Sequence, residues 1–356
     1  MSKIIFSSGT LAQGGAARVF ANLSYPLCDT FDEVILVTWA DVPQFYEYDH
    51  RAKWYCIPKE AGSGSNLRRM RWFRKFVKKE KPDLLLSFLE PYNLRVLIST
   101  IGLNVKTIVS DRSDPRGLNK YWIMGEIEKL VYSRAYKIIV QTETIRSFFG
   151  RRLMKRTHII PNPINLPADM VGLALKTPKK KKIVCVGRLM PAKNLDILIK
   201  SFAVFYKKHS DYKLTIYGEG PLANNLRLLA ESLDVGENVE LPGPSKTIHQ
   251  DILDAEMMCL VSNREGMSNA MIESMTLGLP CICTKVSGAI DLIHDKQNGF
   301  LVDIGDVKGL QEKMEYISEH PEEAYKIGEN ATKIYEELRK DKIFIEWMNY
   351  LKEQIQ

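Results

Sequence analysis

Short apolar runs alternate along this chain with longer segments of helical character. In the first half the runs are Ile4–Phe6, Val34–Val37, Leu84–Phe88, Thr107–Val109, Ile138–Val140 and Thr157–Ile160, and their alternation with helix-length segments is the βαβ pattern of a mostly parallel sheet. The rhythm pauses at Pro161-Asn162-Pro163. Residues 166–182 follow, with two further prolines and the run Lys179-Lys180-Lys181-Lys182, and read as a linker. Strand-like runs resume at Ile183–Val186, Leu214–Tyr217, Val239–Leu241, Met257–Val261 and Cys281–Cys283. The pattern predicts an α/β chain of two Rossmann-like, doubly wound domains facing a central cleft. These would be residues 1–165 and 183–356. The last helix is expected to pack back on the first domain. Open α/β sheets bind ligands beyond the carboxyl ends of their strands, so each domain would offer one wall.

Composition adds a size and a charge. The 356 residues, 45% of them hydrophobic, suffice for about two full cores. Residues 1–165 carry 26 Lys and Arg against 15 Asp and Glu, a net +11, whereas the remainder carries 24 against 28, a net −4. That excess directs the first half toward an anionic surface or ligand, and by itself leaves lipid and nucleic acid both open. Cys28, Cys56, Cys185, Cys259, Cys281 and Cys283 show no Cys-x-x-Cys or Cys/His spacing, which argues for reduced thiols rather than a disulfide framework. Met1-Ser2-Lys3 runs straight into apolar residues without a signal-peptide pattern, and no apolar stretch approaches the ~18–20 residues needed to span a bilayer. The expected location is cytoplasmic, peripheral on the inner face of the membrane.

Two loops of the second half carry the candidate chemistry. Gly187-Arg188-Leu189-Met190-Pro191-Ala192-Lys193-Asn194 leaves a strand and opens a helix, so Arg188 and Lys193 project near helix-terminal amides, a place for a diphosphate. Separately these are ordinary surface cations. Together they pair a point charge with a forked guanidinium, the pre-placed charge that a diphosphate leaving group requires. The second loop is Glu265-Gly266-Met267-Ser268-Asn269-Ala270-Met271-Ile272-Glu273, with one acid before a helix and one inside it. Either acid alone is uninformative, but the small or cap-forming residues between them put amides at the helix start, where phosphate and sugar oxygens bind. Carboxylates also accept paired hydrogen bonds from vicinal diols, which sugars and ribose both present. Cations and acids on strand-to-helix loops of one domain point to a nucleotide-sugar site and to glycosyl transfer.

Other motifs weigh less. The loop Gly9-Thr10-Leu11-Ala12-Gln13-Gly14-Gly15-Ala16-Ala17-Arg18 allows close approach of backbone amides to a ligand, or is a plain strand–helix turn. Gly218-Glu219-Gly220-Pro221-Leu222-Ala223 matches the dinucleotide pattern, with Glu240 about twenty residues on. Its proline and the competing cationic loop in the same domain make it a tight turn near the nucleotide instead. His50, His158, His209, His249, His294 and His320 are scattered singly, so no metal is expected. Gly62-Ser63-Gly64 is a truncated serine elbow far from any strand end.

The pairing of Gly187-Arg188…Lys193-Asn194 with Glu265-x7-Glu273 resembles the retaining glycosyltransferases of family 4, which have the GT-B fold. Gly14-Gly15-Ala16-Ala17-Arg18, Val140-Gln141-Thr142 and Ile160-Pro161-Asn162-Pro163 are similar to further landmarks of that family, and the resemblance covers nearly the whole chain. It implies that Arg188 and Lys193 hold the diphosphate, that Glu273 holds the ribose hydroxyls, and that Glu265 with the amides of Gly266, Met267, Ser268 and Asn269 holds the donor sugar. Gly15 and Gly187 would lie against the donor. Ala17 stands where the family usually has an acid. Ser110-Asp111-Arg112-Ser113-Asp114-Pro115 is similar to a motif of bacterial exopolysaccharide and capsule subfamilies, and it puts Asp111 and Arg112 on the acceptor side.

The resemblance implies hexose transfer from a nucleotide sugar, UDP-linked, to a growing lipid-linked glycan, without cofactor or metal. A nucleotide-sugar epimerase on the same fold and a non-catalytic sugar-nucleotide binder are the alternatives. Nucleic acid is not an expected partner. An anionic membrane surface is, through the basic amphipathic segment Asn66–Lys79, with seven cations around Leu67, Met70, Trp72, Phe73, Phe76 and Val77. An ordinary helix burying its apolar stripe is the competing reading of that segment.

Overall fold

The computed structural model describes residues 2–12, 14–62, 64–114 and 129–355. Gln13 of the first glycine loop, Ser63 of the serine triplet and Pro115 of the Ser110–Pro115 segment lie outside the described residues.

The chain forms two units, each on one parallel sheet. The first comprises Met1–Pro163 with Lys340–Gln356, the second Ile164–Arg339. Strands of the first are β1 (Lys3–Ser8), β2 (Glu33–Thr38), β3 (Lys53–Cys56), β4 (Leu84–Phe88), β5 (Lys106–Ser110), β6 (Lys137–Val140) and β7 (Thr157–Ile159). They lie in the order β3-β2-β1-β4-β5-β6-β7. The second unit contains β8 (Lys182–Val186), β9 (Lys213–Tyr217), β10 (Val239–Gly243), β11 (Met257–Leu260), β12 (Cys281–Thr284) and β13 (Phe300–Val302), ordered β10-β9-β8-β11-β12-β13. Both follow the doubly wound order, in which the chain returns to the middle of the sheet and proceeds the other way. The inner strands read as unbroken apolar runs because helices cover both faces: Ile4, Ile5, Phe6, Leu84, Leu85 and Leu86 are wholly buried, as are Met257, Met258 and Cys259.

Two strands fall outside the apolar runs read from the sequence. β3 reads Lys-Trp-Tyr-Cys with one buried residue, and β13 has three residues. Both are edge strands with a single neighbour, where a half-exposed segment such as β3 or an apolar one of only three residues such as β13 is enough to pair. Residues 166–182 lie inside the second unit. Gly172 N donates to Thr276 O at 3.0 Å. The lysine run is fastened by acids, Lys180 and Lys182 to Asp254 at 2.8 and 3.0 Å and Lys181 to Glu256 at 3.0 Å. These pairs fix the approach to β8.

The last helix, Lys340–Glu353, belongs to the first unit and buries Ile343, Phe344, Trp347, Met348 and Leu351. The Trp347 ring lies 5.6 Å from that of Phe88 at the end of β4. The basic helix Asn66–Glu80 buries Phe73, Phe76 and Val77 in the core of the same unit, with Met70 and Trp72 packed alongside. Of its apolar residues Leu67 alone is exposed, beside the exposed cations Arg68, Arg71, Lys75, Lys78 and Lys79. Arg74 caps a neighbouring helix end, donating to Ser99 O and Ile101 O at 2.9 and 2.6 Å. The apolar stripe is thus spent on the protein's own core. Among the described residues no helix is long and apolar enough to cross a membrane.

Trp347 is wholly buried, so Trp347→Ala is expected to destabilise the first unit by about 3–5 kcal/mol. Urea denaturation followed by circular dichroism checks this, and a loss below about 1 kcal/mol would mean that the last helix is not integral to that core.

Candidate active site

In the second sheet the chain leaves β8 toward β9 on one side and β11 toward β12 on the other, which opens a crevice at their carboxyl ends. The loops after β8 and β11 meet there. Asn263 N donates to Ala192 O at 2.9 Å. Lys193 closes a 3-10 turn, Pro191–Lys193, and Asn194 behind it adopts the left-handed conformation, φ 53°, which turns the chain into the helix Leu195–Tyr206. Its ammonium donates to both carboxylate oxygens of Glu265, at 2.8 and 3.0 Å. Arg188 is exposed and has no ion pair or hydrogen bond of its side chain among the described residues.

The dinucleotide-like glycines have a packing role. A Cβ on Gly218 would come within 2.0 Å of Gly187 O, and one on Gly220 within 2.4 Å of Leu189 O. Leu189 N donates to Glu219 O at 2.8 Å, and Leu222 N to Leu189 O at 3.2 Å. This turn holds the backbone of the cationic loop, and only residues without a side chain permit so close an approach.

The acidic loop is buried at Gly266, Met267 and Ser268. Ser268 caps the helix Asn269–Leu277, its hydroxyl accepting from Met271 N at 3.4 Å. Glu273 stands in the second turn of that helix and is 6% exposed. A carboxylate so enclosed requires a hydrogen-bonding partner, and His249 Nε2 donates to Glu273 Oε2 at 3.0 Å. His249 lies on a short helical turn, Ile248–Asp251, held by Ser245 and Thr247 hydroxyls donating to Asp251. In the sequence this histidine has no ligand-like spacing to another and reads as a lone one. Its position just beyond β10, in the domain of both acids, was the available signal.

In the first unit Gly15 opens the helix Gly15–Thr30, capped by Gly14 without a side-chain bond and without an acid in its first turn. Asp111 and Arg112 sit immediately beyond β5, both buried. Asp111 Oδ2 accepts from Tyr132 OH at 3.4 Å and its Oδ1 from Ser113 N at 3.2 Å. Arg112 donates through Nη1 to Asn162 Oδ1 at 3.0 Å, which joins two sequence landmarks. Its guanidinium lies 4.8 Å from the Phe88 ring centre and 5.3 Å from that of Trp347, and among the described residues Nε and Nη2 have no hydrogen-bond partner. Burial pulls its pKa down to about 9, with the charge of Asp111 opposing. Arg112 is therefore buried against the aromatic rings of Phe88 and Trp347.

Both halves of the chain match family models, "Glycosyltransferase Family 4" over residues 13–167 and "Glycosyl transferases group 1" over residues 174–334. The chain belongs to the family 4-like glycosyltransferases. A relative from Campylobacter jejuni, the GalNAc-alpha-(1->4)-GalNAc-alpha-(1->3)-diNAcBac-PP-undecaprenol alpha-1,4-N-acetyl-D-galactosaminyltransferase, is 26% identical over 99% of this chain and 99% of its own length. The N-acetyl-alpha-D-glucosaminyl L-malate synthase of Bacillus anthracis is 25% identical over 70% of this chain and 65% of its own. Among solved structures, Anabaena HepE in complex with UDP and glucose superposes with a TM-score of 0.83 at 17% identity, covering 99% of this chain and 100% of that one. Sucrose-phosphate synthase from Thermosynechococcus elongatus gives 0.82 at 18% identity, covering 100% and 99%. The fold of this glycosyltransferase is accordingly GT-B.

Because His249 satisfies an enclosed carboxylate, His249→Ala is expected to destabilise the second unit by about 1–3 kcal/mol. His249→Gln, which restores a donor, should recover most of the loss in thermal denaturation. Equal melting of wild type and the Ala variant would show that the pair contributes nothing.

Proposed function

We propose that this glycosyltransferase moves a hexose from a UDP-linked sugar, with retained configuration, to a hydroxyl of a growing lipid-linked surface glycan at the inner face of the cell membrane. The observation that carries the reading is the meeting of Lys193 with Glu265 at the β8–β11 crevice, with Glu273 inside the adjoining helix. It is supported by the UDP and UDP-glucose that the Anabaena structures are described as holding, and by the undecaprenol-linked glycan in the name of the Campylobacter relative. In this reading Lys193 and Arg188 hold the diphosphate, Glu273 the ribose hydroxyls, and Glu265 with the amides of Gly266 to Asn269 the hexose. The bond from the sugar's C1 to the diphosphate oxygen breaks as the acceptor oxygen bonds to C1 on the same face. The acceptor's proton passes to the departing phosphate oxygen. Two side-chain cations meet the developing charge, and no metal is invoked. Asp111 and Arg112 serve the acceptor side by holding the carboxyl edge of the first sheet in shape, since Arg112 is enclosed.

Lys193→Ala should lower acceptor-dependent UDP release by roughly 10²–10³-fold with folding intact, as for loss of one preorganised contact to a developing anion, and Arg188→Ala should behave alike. Near-native turnover in both variants would remove the leaving-group role of this loop.

Contact with the membrane, in this reading, is electrostatic. The exposed cations of Asn66–Glu80 face outward while Phe73, Phe76 and Val77 are committed to the core, and each basic residue near an anionic surface contributes about 1 kcal/mol. Binding to phosphatidylserine-containing vesicles should therefore fall with salt, and fall further when Arg68, Arg71, Lys75 and Lys78 become Glu. Cosedimentation unaffected by that charge reversal would clear the helix of this role.

A further inference from the structure

Lys193 holds Glu265 with both carboxylate oxygens engaged, at 2.8 and 3.0 Å. The two side chains are only 18% and 20% exposed, so water can replace little of what either loses. The lysine is also restrained. A Cβ on Gly187 would come within 3.4 Å of its Cε, which shows how closely its stem lies along that residue, and the Asn263–Ala192 backbone bond ties the two loops together. With two of the ammonium's three N–H donors turned to Glu265, only the third is left for a diphosphate oxygen, and a closer hold on the diphosphate draws the ammonium away from the carboxylate.

We propose that Glu265 competes with the diphosphate for Lys193, so that the pair favours a complete nucleotide sugar over the bare nucleotide; the identity of the ligand rests on the function proposed above. A diphosphate that captures Lys193 leaves an under-solvated carboxylate beside new negative charge, and like charges at short range in a partly buried site repel strongly. The complete donor offsets this, because its sugar hydroxyls donate to the released carboxylate. UDP and inorganic pyrophosphate have no such donors at that position. Once the hexose has been transferred, Glu265 loses its hydroxyl partners and recaptures Lys193, which weakens the hold on UDP and promotes its departure. Arg188, exposed and unpaired among the described residues, has no internal competitor and contributes equally to donor and product.

The test is calorimetric titration of the full chain with UDP and, separately, with inorganic pyrophosphate. Glu265→Gln removes the competing charge and should bind both about tenfold more tightly than wild type, the factor expected for loss of one competing charge-assisted contact, although it transfers sugar more slowly. The gain should vanish in a Lys193→Ala background, because it acts through the ammonium. Glu265→Ala, which must tighten binding in the same sense, serves if the Gln variant does not fold. Unchanged or weaker UDP and pyrophosphate binding in a folded Glu265 variant overturns the proposal, as does a gain of equal size without Lys193. Tighter pyrophosphate binding in a chain that ignores UDP would sustain the competition and remove the UDP-sugar reading. UDP binding by wild type without any tightening in the variants would do the reverse, and no binding of either probe by any variant would remove both.

Discussion

Parallel strands cannot be joined by a tight hairpin; each must be reached by a crossover that carries the chain back over the sheet. In both units of this protein that constraint sends every strand-to-helix loop to the same edge, and the doubly wound order parts two neighbouring loops at the middle of it. The residues that can do chemistry are widely separated in sequence: Gly187, Lys193, Glu265 and Glu273 in the second unit, Asp111, Arg112 and Asn162 in the first. The crossovers gather each set at one edge. The apolar strands that dominate the pattern therefore do more than fill a core, since they decide which loops become neighbours.

The two acids at the second unit's edge are each partnered within the unit. Lys193 is balanced by Glu265, and the enclosed Glu273 is met by His249. Neither acid is left to solvent. Burying a charged group without a partner is costly, so the partly enclosed carboxylates at this edge are already paired within the protein, whereas the exposed Arg188 has no such partner among the described residues. Around it the structure uses small residues where other atoms must come close, as Gly218 and Gly220 do against the cationic loop.

The first unit spends its chemistry differently. Arg112, beside the carboxyl end of β5, stacks near Phe88 and Trp347 and bonds Asn162, so one side chain links the sheet, the segment before Pro163 and the returning last helix. The basic helix Asn66–Glu80 likewise turns an amphipathic pattern to internal use, burying its aromatic stripe and leaving its cations outside. A charged helix and an apolar core are compatible because long basic side chains reach water from a buried backbone face.

The hydrophobic rhythm alone determined two parallel α/β sheets, since runs such as Leu84–Phe88 and Met257–Val261 are apolar enough to need cover on both faces. The spacing of Glu265 from Glu273 and the placing of Arg188 and Lys193 marked the candidate loops for the same reason: those residue types have few other uses together at a strand end. Tertiary structure decided the rest. The edge strands β3 and β13 owe their pairing to neighbours, His249 finds Glu273 across 24 residues, Lys193 and Glu265 meet across 72, and the tail from Lys340 crosses back to join the first core. Periodicity records which face of a segment is buried, but which partner buries it depends on distances that exist only once the chain has folded.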